Sequence, residues 1–433
     1  MMYREAPYRF FKDTLDNGFH VLTLEIPYLH AAEIALYIRT GSRYETLETN
    51  GVSHFLEHMF FRGSQNYPSS FKLNSAFESI GEGLIANTFR EFTCYWSKID
   101  HDFLKEGVHL FGDVFTKPIF EEIETERKII EIELLEDFDA DGTPHDIDDI
   151  SRPLIWPGNP LGFSVIGTKE NIEKFKRDDL ITHYEKFYTP PNMLLCVTGQ
   201  VTRNHVLEYA EKAFGHLKKN TREHSPIVRM SQEFPMSKFV SNDSSQVDVQ
   251  LSFRAYGELH PKMRALYLMQ RVLDDGISSQ LQKAICEDKG LAYDISAAID
   301  SYSDTGLFDI DVTVSKKDVT KIIPAILDEL GQLKNSLISD EEFKKIKTRA
   351  VREYEFNFDS LRKMSSHFGE SELLYELKMP EETISEIMKI TKEEILAVAQ
   401  DIFKSKNLNL ITLGPLNDKQ KEDLKKLLSS QVI

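Results

Sequence analysis

Between Leu15 and Thr40 apolar side chains recur at every second position, through Gly18–Glu25, a turn around Pro27 and then Ala32–Arg39. Period-two stretches rich in β-branched and aromatic residues predict strands, here two neighbouring ones. Gly41 and Ser42 end the second, and a loop over Glu45–Gly51 leads into a helical segment with Val52, Phe55, Leu56, Met59, Phe60 and Phe61. So many apolar positions predict a buried helix with its few polar groups turned into a cleft, because buried polar groups need partners. A second helix is expected over Leu73–Ile80, stopped by Gly81 and Gly83. A strand and its return over Leu84–Trp96 follow, then a helix over Leu104–Thr116.

The pattern then repeats. Asp179–Tyr188 followed by Asn192–Gly199 recurs 215 positions later as Glu394–Phe403 followed by Asn407–Gly414, each a helix leading into an apolar strand. This predicts a duplicated α+β unit. Periodicity breaks where Lys218–Pro226 runs through polar and charged residues. The expected division is therefore an N-terminal domain over 1–220, a linker over 221–237 and a C-terminal domain over 238–433. The second half opens with an alternating strand over Gln246–Phe253 and a helix over Lys262–Leu273, and carries another alternating strand over Leu307–Val314.

Composition narrows the class. A chain of 433 residues, 41% hydrophobic and 11% aromatic, is globular and long enough for at least two cores. No apolar run suits a signal peptide near Met1–Phe11 or a bilayer span later, so a soluble cytoplasmic protein is expected. Cys94, Cys196 and Cys286 are odd in number and far apart, which argues against a disulfide framework. A net charge of −18 disfavours nucleic acid, whose phosphates require basic partners, and attracts basic peptides.

The chemistry concentrates in His54-Phe55-Leu56-Glu57-His58. Histidines at i and i+4 share a helix face, with Cβ atoms about 5–6 Å apart. That spacing suits two imidazoles on one zinc ion, with Glu57 close enough to polarise a water held there. Two buried structural histidines and a salt-bridged glutamate would give the same letters, so a third ligand is required. The acidic stretch Glu121–Asp141 offers one. Most of its charges read as a solvated helix face, with Glu131 projecting toward Arg127. Glu126 and Glu133, seven residues apart, fall on one stripe with Ile129 and Ile130, and carboxylates on a packing face need a compensating charge. A metal held by His54, His58 and one of the two stripe carboxylates would supply it; Glu133 is taken as the ligand, with Glu136 or Glu131 the next carboxylates to consider.

The order His-x-x-Glu-His, followed some seventy-five residues later by Glu126-Arg127 and Glu133, resembles the inverted zinc motif of the M16 (pitrilysin-like, mitochondrial-processing-peptidase-like) metallopeptidases. The similarity extends to Leu15-Asp16-Asn17-Gly18, to Gly51–Gly63, and to Arg90-Glu91, Thr93 and Tyr95. It implies an α+β fold of two duplicated domains, each a mainly antiparallel sheet with helices packed on one side. It also implies zinc on His54, His58 and Glu133, Glu57 as general base, and Glu126 orienting the site. In that family a substrate adds as an extra strand beside the segment matched by Ile85, Ala86 and Asn87, a mode that reads backbone more than side chain. Ile85 stands where the family has asparagine, and Asn87 offers an amide nearby.

In the second half, Leu268–Val272 offers no ligand set. Gly276–Leu281 and Asp288–Tyr293 resemble the family segment whose arginine and tyrosine hold the substrate backbone and the tetrahedral intermediate. Tyr293 matches the tyrosine, and Cys286 occupies the arginine position, where a thiol cannot act as a cation. A catalytic thiol is the alternative to a small packing residue at that position. The resemblance therefore implies a zinc endopeptidase subunit acting on short or unstructured peptides with a homologous partner chain, as a heterodimer or otherwise a homodimer. A non-catalytic scaffold subunit of the same fold and a narrow maturation protease for a ribosomally made peptide are the alternatives.

Overall fold

The computed structural model of the chain describes residues 8–138, 142–228 and 232–430. Asp139 and Asp141 of the acidic stretch, and 229–231 of the expected linker, lie outside the described residues. The chain parts into two compact units. One comprises Met1–Glu136, Phe163–Pro226 and Asn357–Leu377; the other comprises Asp137–Gly162, Ile227–Phe356 and Lys378–Ile433.

The strands of the first half are β1 (Arg9–Thr14), β2 (His20–Glu25), β3 (Ala31–Ile38), β4 (Ile85–Thr88), β5 (Thr93–Asp100) and β6 (Met193–Gly199). Its helices are α1 (Val52–Phe60), α2 (Ser70–Glu78), α3 (Leu104–Thr116), α4 (Ile123–Glu136), α5 (Ile147–Ile155), α6 (Lys169–Lys174), α7 (Arg177–Phe187) and α8 (Arg203–Phe214). The second half carries β7 (Met236–Val240), β8 (Gln246–Ala255), β9 (Ile295–Ser301), β10 (Gly306–Ser315) and β11 (Leu408–Leu413). Its helices are α9 (Met263–Leu273), α10 (Val319–Asn335), α11 (Asp340–Asn357), α12 (Leu361–Leu374), α13 (Pro380–Lys389), α14 (Lys392–Ile402) and α15 (Asp418–Ser430). The series β3-α1-α2-β4-β5-α3-α4 is matched by β8-α9, a π-helical turn over Gln282–Glu287, and β9-β10-α10-α11, and α7-β6-α8 by α14-β11-α15. This is a duplicated α+β fold.

The first sheet has the order β1-β2-β6-β3-β5-β4. The expectation that β2 and β3 are neighbours is corrected here, because β6 runs between them, parallel to β2 and antiparallel to β3. The reason is in its composition: Met193–Gly199 is buried at every position, a nearly continuous apolar run that belongs at the centre of a sheet. The second sheet, β7-β11-β8-β10-β9, likewise contains one parallel pair.

In each unit most helices pack on one face of the sheet, and one helix covers the other. In the first unit Gly107 of α3 lies against Ile34 and Ile99, where a Cβ would come within 2.7 Å of both side chains. On the opposite face α12 brings Gly369 against the ring of Tyr37 and Ser365 Oγ to 3.2 Å from Tyr37 Oη. In the second unit α5 takes the equivalent place, with Ile150 packed on Ile411 and Leu413. Each half of the chain thus lends the helix after its acidic or charged helix pair to the other unit, an exchange that local periodicity does not reveal.

Candidate metal centre

The helix α1 is fixed before it does any chemistry. Phe55, Leu56, Met59 and Phe60 are fully buried, each worth about 1.5–3 kcal/mol relative to exposure. Phe60 is surrounded by Tyr95, Phe115, Phe120, Tyr184 and Tyr188, with ring centroids 4.8–6.1 Å away. That cluster sets the rotation of α1 about its axis and so the direction of the opposite face.

The start of α1 is capped by Glu45, a residue the sequence pattern did not single out. Its carboxylate accepts from Gly51 N at 2.8 Å, Ser53 N at 2.8 Å and Asn50 Nδ2 at 3.0 Å. Burial raises its pKa, and these donors pull it back down. A carboxylate on free helix N–H groups is the favourable arrangement for a helix start. Gly51 adopts φ 98°, and a Cβ there would meet Ile166 O at 2.7 Å, so glycine is required by both conformation and space.

With α1 held, His54 and His58 face α4. Their ring centroids are 4.7 Å apart. His54 Nε2 lies 3.5 Å from one oxygen of Glu133, and His58 Nε2 lies 3.4 Å from the other. His58 Nδ1–H donates to Glu126 at 3.1 Å, and Glu126 in turn accepts from Arg62 Nε. Glu126 is buried while Glu133 is 42% exposed in its side chain. The stripe is narrower than expected: Ile130 is buried, but Ile129 is 41% exposed and leaves it, because 100° per residue carries it away from the α1 contact. The expected approach of Glu131 to Arg127 is also replaced, since Arg127 pairs with Glu124 at 3.1 Å and donates to Phe175 O at 2.7 Å.

The electrostatics follow from this packing. Burial lowers the pKa of His54 to about 4, helped by the neighbouring His58. Burial works against charge on His58 too, but its bonds to Glu126 and Glu133 outweigh it and raise the pKa to about 9. The bond to His58 lowers that of Glu133. Burial raises the pKa of Glu57, opposed by a hydrogen bond that the Thr88 hydroxyl donates to its Oε2.

Two imidazole nitrogens and one carboxylate oxygen, all within 4.8 Å of one another, are a donor set that fits zinc. Each histidine aims its Nε2 at the shared carboxylate. Three protein donors leave a coordination position for another group, as in catalytic rather than structural zinc sites.

The other residues singled out by sequence lie elsewhere. Ile85, Ala86 and Asn87 are on β4, an edge of the first sheet, with Ile85 and Asn87 more exposed than Ala86. Tyr293, in the second unit, is 99% exposed. Cys286 is half-buried against the second unit's core, and burial with nearby Asp294 and Glu287 raises its pKa. That is the opposite of the electropositive setting that activates a thiol. No helix among the described residues is long and apolar enough to cross a membrane.

A sheet-bordered helix bearing paired histidines thus lies against a carboxylate-bearing helix in the first half of a duplicated α+β chain. The chain belongs to the M16 peptidase family: residues 20–167 match the family model described as insulinase (peptidase family M16), and residues 174–350 match the peptidase M16 inactive domain. It is 28% identical over 400 residues to an uncharacterized zinc protease of Bacillus subtilis, covering 90% of this chain and 95% of that one. It is 27% identical over 422 residues to the mitochondrial-processing peptidase subunit beta of Saccharomyces cerevisiae, covering 92% and 90%. Its fold is that of a protease from Helicobacter pylori, with a TM-score of 0.87 at 22% identity over 95% of this chain and all of that one.

Proposed function

We propose that this chain is a zinc-dependent endopeptidase subunit that hydrolyses short or unstructured peptides, active together with a homologous partner chain. The observation that carries this is the convergence of His54, His58 and Glu133 beside the buried Glu57. A structural subunit of the same fold has no use for two imidazoles and a carboxylate held on one centre at the cost of desolvating them.

Zinc at this centre would act as a Lewis acid on the peptide carbonyl and increase the acidity of water. The chain's own residues do the rest. Glu126 holds Nδ1–H of His58, which directs Nε2 into the site and fixes the ring's tautomer. Glu57 takes a proton from the attacking water on a carboxylate oxygen and passes it to the leaving nitrogen. Burial suits it to the task, since it raises a carboxylate's affinity for a proton. An extended peptide adds along β4 and is read mainly through its backbone.

The partner is required by what the second unit lacks. Tyr293 has no arginine at the position of Cys286, so the donor that would steady the oxyanion comes from the partner chain. The three cysteines stand unpaired, which supports a reducing, cytoplasmic setting.

Glu57→Gln tests the assignment. The variant should keep its zinc and its fold and lose about 10²–10⁴-fold in peptide hydrolysis, because an amide cannot take the proton. Wild-type turnover in a metal-loaded variant would remove Glu57 from the mechanism.

A further inference from the structure

The edge strand β4 also touches the proposed base. Burial alternates along it, so Ala86 and Thr88 share one face and Ile85 and Asn87 the other. On the first of these faces the Thr88 hydroxyl donates to Glu57 Oε2. This rests on Glu57 acting as the base, and it adds a residue that neither the zinc-ligand pattern nor the helical stripe identifies.

Thr88 is a firm anchor because the turn that follows it is clamped. It is the last paired residue of the strand, opposite Thr93. Phe89 N donates to Phe92 O at 2.8 Å, and the two rings stack with centroids 4.5 Å apart. Arg43, 1% exposed, makes a buried ion pair with Glu91 at 2.6 Å, and its main-chain N–H donates to Arg90 O at 2.9 Å. Gly41 lies so close to the turn that a Cβ would fall 2.0 Å from Phe89 O. The hairpin therefore cannot slide relative to the segment leading into α1. A hydroxyl fixed in this way restricts a glutamate whose own side chain has three rotatable bonds.

We propose that Thr88 is a positioning residue for Glu57, so that the strand receiving the peptide also sets the placement of the group that moves the proton. Misplacing a reacting group by about 1 Å costs on the order of 10²-fold. Thr88→Val keeps the branched shape and the strand hydrogen bonds while removing the donor; Thr88→Ser keeps the donor.

The test uses the zinc-loaded full chain, with its partner subunit where hydrolysis requires one, and an unstructured fluorogenic peptide. Thr88→Val should retain wild-type zinc content and KM within about twofold while kcat falls about 10–100-fold. Thr88→Ser should restore most of kcat. Crystallography of zinc-loaded Thr88→Val, which needs no activity, should find the Glu57 carboxylate displaced from its wild-type position. Unchanged kcat in Thr88→Val, equal loss in Thr88→Ser, or an unmoved Glu57 would each overturn the proposal. Full turnover in Glu57→Gln would instead overturn the assignment beneath it, a result obtained without any Thr88 variant.

Discussion

The two units solve one packing problem in two ways. Each sets a helix after a central strand, α1 or α9, near a second helix that carries carboxylates, α4 or α11. In the first unit α1 presents His54 and His58 to Glu126 and Glu133. In the second, α9 presents Arg271, 5% exposed, which pairs with Glu353 of α11 at 2.9 Å and with Asp275, and donates to Tyr267 Oη at 3.0 Å. The guanidinium is a permanent, covalently attached cation with a fixed fork of donors. The second unit neutralises its carboxylates with that guanidinium; in the first, Arg62 pairs with Glu126, and Glu133 is left to imidazoles whose charge depends on proton or metal. The difference lies at Glu133, whose partners are imidazoles rather than a fixed guanidinium.

The largest effect is expected at Cys286, the position the family resemblance gives to an arginine. If the second unit contributes only Tyr293, the isolated chain should hydrolyse peptide about 10²–10³-fold more slowly than the complex with a partner bearing the arginine. Cys286→Arg should recover part of that deficit. Assaying the chain alone, with the partner, and as Cys286→Arg checks this; high activity of the isolated wild type would require another cation, with Arg90 and Arg264 the ones to test.

Arg271→Met asks whether the internal cation is structural. Breaking a buried ion pair typically costs about 3–5 kcal/mol, and the lower end applies because Glu353 is largely exposed and Asp275 keeps Arg349 at 3.0 Å. Chemical denaturation should find the variant about 3 kcal/mol less stable while its zinc content is unchanged. A variant as stable as wild type would show that the helices need no cation there.

A smaller effect is expected from the polar face of the second sheet. Arg152 of α5 lies among Asp309 at 2.8 Å, Asp148 at 3.1 Å and Asp300 at 3.2 Å. Asp311 instead accepts from Gln250 at 2.9 Å, and burial together with the charge of Asp309 raises its pKa to about 7. Its folded pKa is above the unfolded one, so the folded state binds more protons between them. Stability from this group is present at low pH and lost as pH rises through about 7. Thermal unfolding should show wild type losing more stability than Asp311→Asn between about pH 6 and pH 8. Parallel pH profiles would contradict the assignment.

How much of this was legible in the sequence depends on how local the determinant is. His54, Glu57 and His58 sit within one helical turn and a half, so their shared direction follows from helix geometry alone. That Glu126 and Glu133 share a stripe needed only the periodicity of a second helix, although the same stripe wrongly took in Ile129. The insertion of β6 between β2 and β3 was hidden because strand pairing across some 160 residues leaves no periodic trace, and the exchanged helices α5 and α12 were hidden for the same reason. Glu45, Arg62 and Thr88 act through single hydrogen bonds made by tertiary packing. Of these only Glu45 left a signal, an acid shortly before a glycine-started helix.

Elemental analysis of purified wild type and Glu133→Ala decides whether Glu133 belongs to a zinc centre with His54 and His58. The wild-type chain should carry about one zinc ion and the variant almost none, because two imidazoles without the carboxylate would bind it weakly. Equal zinc in both proteins would contradict the centre as described and move the third ligand to another carboxylate.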